Sequence, residues 1–170
     1  MAPRRLLLFL SLLILFTCSC GYYHTTSRGR SMSGTVALPF LDNRSNQPDL
    51  EVLATEAIIE ALEADGLLRV VSRGSEDYLL SGWVSQYSET PFSIADSGTA
   101  DEYRLSMSLT MSFVNNLSGE ELFKDKVFAS SYNFYIEGSV AGEDLTRDNA
   151  EEKTLEKIVD DILNNIFGDW

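Results

Sequence analysis

The stretch EYRLSMSLTMSFV, residues 102–114, decides the fold. Tyr103, Leu105, Met107, Leu109, Met111 and Phe113 alternate with Arg104, Ser106, Ser108, Thr110 and Ser112. A period of two puts one set on each side of a pleated strand, so this strand has one apolar face and one hydroxyl face. Downstream, Asn115 to Gly119 reads as a turn, and Glu121 to Tyr135 as the antiparallel strand that follows it. Upstream, residues 89–101 are a polar loop containing Pro91 and Gly98, preceded by a strand from Asp77 to Ser88 with Leu79, Leu80, Trp83, Val84 and Tyr87. Arg69-Val70-Val71 is a further short apolar segment, separated from that strand by a turn from Ser72 to Glu76.

Both ends of this β-rich middle change period. Leu50, Leu53, Ala54, Ala57, Ile58, Ala61 and Leu62 recur at helical spacing, with Asp49 placed to cap the start and Gly66 to stop the helix. Leu155, Ile158, Val159, Ile162, Ile166 and Phe167 form the stripe of a last helix, from about Thr146 to Phe167 and ended by Gly168. Ahead of the first helix, Gly34 to Phe40 alternates as a strand, and Leu41 to Pro48 is a loop. The order β-α-β-β-β-α predicts an α+β domain, a two-layer sandwich in which both helices cover one face of a mixed sheet of about four strands. The apolar side of 102–114 supplies that face. The other side is left to solvent or to a partner.

A chain of 170 residues, 44% hydrophobic, suits one domain. Its charge is −13, and removal of residues 1–19, which hold Arg4 and Arg5, would leave 11 basic against 26 acidic residues, or −15. Such a chain is a poor nucleic-acid binder, since phosphate affinity comes from Lys and Arg. Arg4 and Arg5 precede an apolar run from Leu6 to Phe16, which has the length of a secretory signal and falls short of the roughly 20 residues of a membrane span. Thr17-Cys18-Ser19-Cys20-Gly21 follows. It resembles the bacterial lipobox, whose cysteine takes a diacylglycerol, although Thr17 stands where an aliphatic residue is usual. Cys20 is the expected acylation site, with Cys18 the competing one. The expected divisions are a signal at 1–19, a lipidated tether at 20–33 and a single α+β domain at 34–170. With no other cysteine there is no disulfide framework. Gly21, rather than Asp, directs the expectation to the outer membrane, on its periplasmic side.

Catalytic groupings are missing. His24 is the one histidine, four residues past Cys20, which leaves no histidine-based nucleophile system and no His/Cys set for zinc. No glycine loop suited to phosphate is present. The carboxylates of Glu56, Glu60, Glu63, Asp160 and Asp161 fall on solvated helix surfaces. The reading is of a non-enzymatic protein with no cofactor and no metal.

Several motifs in order resemble the lipopolysaccharide-assembly lipoprotein family (LptE): Cys20-Gly21-Tyr22-Tyr23, then Val36 to Ser45 (VALPFLDNRS), then Pro48 to Glu51. Leu68 to Val71, Asp77 to Gly82, Glu102 to Leu105 and Arg147-Asp148-Asn149 continue the likeness, which spans nearly all of 20–167. The resemblance implies a two-layer sandwich. It also implies an outer-membrane lipoprotein that plugs and helps assemble a β-barrel translocon inserting lipopolysaccharide into the outer leaflet. The row Ser106, Ser108, Thr110, Ser112 suits contact with a polar barrel lumen, and a solvated sheet face would look the same. Lipopolysaccharide phosphates would need cations, for which Arg147, at a helix start, and Arg104, Lys124 and Lys126, on neighbouring strands, are the candidates. The loop 89–101 holds Glu89 and Asp96 and no basic residue. The alternative is another outer-membrane adaptor, such as a peptidoglycan-synthase activator or a secretion-pore component. The former would need a longer tether than residues 21–33, and the latter further amphipathic segments.

Overall fold

A computed structural model describes residues 32–94, 100–135 and 146–168. In chain order the elements are β1 (Gly34–Ala37), β2 (Asp42–Asn43), α1 (Leu50–Asp65), β3 (Leu68–Val70), β4 (Tyr78–Ile94), β5 (Ala100–Asn115), β6 (Glu120–Tyr135) and α2 (Arg147–Phe167). The signal, Cys20 and most of the tether lie outside the described residues.

The strands make one mixed sheet in the order β3-β1-β4-β5-β6, with β2 also pairing β4. The fold is the expected α+β one, with six strands where about four are expected. Short parallel pairs join β1 to β3, β1 to β4 and β2 to β4, whereas β4, β5 and β6 form a long antiparallel meander. One extra strand is β3, the short apolar segment, which pairs with β1; two further local features depart from expectation. Pro39, which lacks an N–H for the ladder, interrupts the predicted strand 34–40, leaving Phe40 62% exposed. Past it Leu41 turns into the core, and Asp42–Asn43, expected in a loop, resume pairing on β4 opposite Trp83 and Val84. The predicted loop 89–101 is mostly strand: β4 runs on to Ile94, and β5 begins at Ala100.

Both helices lie on the apolar face, α1 over β2, β3 and β4, α2 over β5 and β6, and they touch each other. Leu50, Ala54, Ile58 and Leu62 of α1 meet Leu155, Ile158, Val159, Ile162, Ile166 and Phe167 of α2 in one cluster with Leu105, Met107, Leu109, Met111 and Phe113 of β5. Fully burying a side chain of this size contributes about 1.5–3 kcal/mol, so the alternation of β5 is the main apolar platform. Leu53, placed on the α1 stripe by spacing, is 44% exposed. Met32, in the segment expected as tether, is buried in the same cluster.

The helix ends behave differently from each other. Thr146 caps α2 by accepting from the Asn149 N–H at 3.3 Å. Asp49, expected to cap α1, is itself left-handed (φ 66°), and its side chain makes no cap bond. Gly66 ends α1 as expected, at φ 73° with its N–H on the Leu62 carbonyl.

Candidate functional site

The face of the sheet turned away from the helices carries hydroxyls. Cross-strand pairing aligns Ser81 with Ser112, Trp83 with Thr110 and Val127, Gln86 with Ser108 and Ala129, and Ser88 with Ser106 and Ser131. Charged side chains border this row: Asp125 Oδ1 accepts from Ser112 Oγ at 3.3 Å, and exposed Asp42 of β2 pairs with Trp83. Ser85 Oγ lies 3.0 Å from the Ser108 carbonyl oxygen, to which it donates, and 2.9 Å from Ser108 Oγ. Small side chains sit low here: Ser108 and Thr110 are only 8% and 6% exposed.

Two bulges decide which residues reach this face. Pairing shifts between Val84 and Gln86, so Val84 and Tyr87, three apart, both point to the core while Trp83, Ser85 and Gln86 point away. In β6 a second irregularity surrounds Asp125, which is left-handed at φ 46° and tied to Ser112 by its backbone N–H at 2.9 Å. After it, Val127 pairs with Thr110 on the open face, and Phe128 with Leu109 on the core face.

The four candidate cations do not converge. Arg104 is on the open face near the free end of the β4–β5 pair, with Nε donating to Asn133 Oδ1 at 3.0 Å and the guanidinium 4.1 Å from the Phe92 ring. Arg147 lies near the same end on the helix side of the sheet. Its Nε donates to Glu89 Oε1 at 2.7 Å and Nη2 to the Tyr87 hydroxyl at 3.1 Å. Burial, and next the hydrogen bond to Glu89, raise the Tyr87 phenol above its ordinary pKa, so it stays protonated and donates to Glu89 at 2.6 Å. That hydrogen-bonded pairing with Glu89 also raises the Arg147 pKa, keeping the guanidinium charged. Toward the other end, Lys124 pairs with Glu121 at 2.8 Å in an exposed bridge. Lys126 points to the helix side and donates to Asn165 Oδ1 of α2.

Sequence spacing gives Trp83 only as a strand residue and leaves Arg44 in a loop, yet the two form a stack with the guanidinium 3.8 Å from the ring centroid. The signal for Trp83 was that apolar residues occupy both parities of Asp77–Ser88. No local pattern announces Arg44. Among the described residues no group of three or more His, Cys, Asp or Glu could hold a metal, and no helix is long and apolar enough to cross a membrane.

These features define a class: a two-layer α+β domain with an acidic helical layer and a hydroxyl-rich sheet face. A family model described as LptE, lipopolysaccharide-assembly, matches residues 33–167. The chain belongs to that lipopolysaccharide-assembly family, as its motifs led one to expect. No curated protein matches it at the sequence level. Among solved structures it is similar to an uncharacterized lipoprotein B from Nitrosomonas europaea (11% identity, TM-score 0.55, covering 82% of this chain and 88% of that one). A hypothetical protein from Chlamydia trachomatis is similar at 11% identity and TM-score 0.55, over 79% and 98% of the two chains. PelC from Paraburkholderia phytofirmans, solved as a dodecamer, has 15% identity and TM-score 0.50, over 84% and 94%. At such identities the likeness is one of fold.

Proposed function

We propose that this lipopolysaccharide-assembly lipoprotein is a non-enzymatic outer-membrane protein, anchored through acylated Cys20 on the periplasmic side. Its partner is the β-barrel translocon that inserts lipopolysaccharide into the outer leaflet, which it plugs and helps to assemble. Family membership over 33–167 supports the setting. The observation that carries the partner role is the open face of β4–β6, lined by Ser81, Ser85, Ser88, Ser106, Ser108 and Ser112. Short hydroxyl side chains allow close approach and exchange hydrogen bonds with a polar wall without stranding a charge.

Lipopolysaccharide contact is proposed at the same molecule's cations. Arg104 and Arg147 share one end, and Lys124 and Lys126 are a second group toward the other. Arg104 is the stronger candidate, because its guanidinium contacts an amide and an aromatic ring while Arg147 already holds Glu89. Phe92, 51% exposed beside Arg104, offers apolar surface next to the cation.

The test is affinity purification of the full-length tagged protein from its native membrane after gentle solubilisation, with partners identified by mass spectrometry. One large outer-membrane barrel in near-equal amount is the expected result. Recovery of a peptidoglycan synthase, or of no partner, would sink the reading.

A further inference from the structure

The helical layer holds an apolar groove that the core does not fill. Ala57, Ala61 and Ala64 of α1 face Leu155 and Val159 of α2 across a cavity of about 410 Å³. Alanines leave room between the helices where larger side chains would close the gap. Exposed carboxylates edge this floor: Glu60 on α1, and Glu152, Glu156 and Asp160 at four-residue spacing on α2. Like charges at that spacing repel one another. Lys153 is the one cation among the described lining residues, and it is paired with Glu156 at 2.9 Å. Glu60 and Asp160 hold no ion pair among the described residues.

The chain enters the domain beside this groove. Met32 is buried in the core cluster, and Gly34 pairs with Leu68, two residues past the Gly66 that ends α1. Ala64 is in the last turn of the same helix. The stretch just ahead, Ser27-Arg28-Gly29-Arg30-Ser31, has two arginines and no acidic residue. Extended backbone covers about 3.3 Å per residue, so Arg30 and Arg28 reach up to about 7 and about 13 Å from Met32. Ala57 to Ala64 is about 10 Å of helix, which lies within that reach.

We propose that residues 27–31 dock in the groove between α1 and α2 as a strap from the same chain. The aliphatic stems of Arg28 and Arg30 lie on the alanine, leucine and valine floor, and their guanidinium groups meet the carboxylates at its edges. Gly29 lets the backbone between them approach closely. Charge complementarity and reach select this occupant. The helical layer of a second copy would bring more carboxylates, since α1 has no basic residue. A separate partner draws stable binding from roughly 800 Å² on each side, whereas a tethered segment needs little area, because its effective concentration is already about millimolar. Docking does not depend on acylation of Cys20. With Cys20 acylated as proposed above, it would shorten the free tether from residues 21–31 to 21–26, from about 36 to about 20 Å, and hold the helical layer nearer the membrane.

The experiment uses the full chain in intact cells, with Gly29→Cys and Ala61→Cys combined, mild oxidation, and peptide mass spectrometry of the products. A 29–61 disulfide within one chain is expected in most molecules. Gly29→Cys with Arg69→Cys is the control, because Arg69 is exposed on β3 opposite Thr35, as near the entry of the chain but away from the groove. Its yield should be at least fivefold lower. Adding Arg28→Glu and Arg30→Glu should lower the 29–61 yield at least fivefold, with the far-UV spectrum unchanged. Equal yields at positions 61 and 69, or a 29–61 yield that survives the charge reversal, would overturn the strap. So would disulfides formed only between chains, which would mean an exchange between copies. A 29–61 product that forms only after detergent extraction would put the arginines on lipid headgroups and overturn it too.

Discussion

Asp77 ties the first strand to the long meander. Its Oδ2 accepts from the Thr35 N–H at 2.8 Å and from the Thr35 hydroxyl at 2.9 Å. The backbone N–H of Thr35 first, and its hydroxyl next, lower the carboxyl pKa below its ordinary value. A depressed carboxylate stabilises the fold above the unfolded pKa, near 4 for aspartate, and that stabilisation is lost as pH falls through the lower folded value. Asp77→Asn should therefore be less stable than wild type at pH 7, and the gap should narrow in acid. Urea titrations across the acid range would read this, and a gap constant with pH would refute it. At the same scale, Arg104→Ala should reduce capture of lipopolysaccharide on immobilised protein several-fold. Lys124→Ala, which removes only an exposed bridge, should change it little. Equal losses would favour a diffuse charge effect over a site.

At the scale of elements, the two helices of similar amphipathic pattern begin differently. Thr146 supplies an acceptor to the first turn of α2, and Thr146→Ala should cost about 1 kcal/mol. Asp49 supplies none and occupies a left-handed position that suits glycine, so Asp49→Gly should not lower stability. Thermal melts of the two variants side by side decide the point; equal losses would mean that Asp49 caps after all. The strands show a comparable contrast. In β5 the period of two was readable without interruption, and each of its core-face residues from Leu105 to Phe113 is buried. In β4 and β6 the bulges at Ser85 and Asp125 break the parity. Val127 is consequently on the open face, and Lys126 is turned to α2.

For the whole molecule, one apolar cluster runs from Met32 through α1 and the sheet to Phe167. No second core divides the described residues, so residues 32–168 should unfold in one step. Near- and far-UV circular dichroism melts should coincide, and separated transitions would show that the helices detach before the sheet. Charge is also arranged at this scale. α1 bears Glu51, Glu56, Glu60, Glu63 and Asp65 with no basic residue, whereas the open sheet face is mostly hydroxyl, with Arg44 and Asp42 beside Trp83. The helical layer is thus suited to water, and the sheet face is the surface that a partner can cover with less charge to desolvate.

The sequence by itself determined the class of fold, both helix spans to within a residue or two, the apolar and hydroxyl sides of β5, and the acidic balance. Each of these depends on neighbours along the chain, through periodicity, capping and turn chemistry. Only the tertiary structure decided the sheet order, the return of Asp42–Asn43 to the ladder, and the distribution of Arg104, Arg147, Lys124 and Lys126 over two faces and two ends. It also placed Arg44 on Trp83, residues separated by α1 and β3. Such contacts depend on long-range pairing. A single bulged residue reverses every later side chain in its strand, and the positions that accommodate one are set by the neighbouring strands.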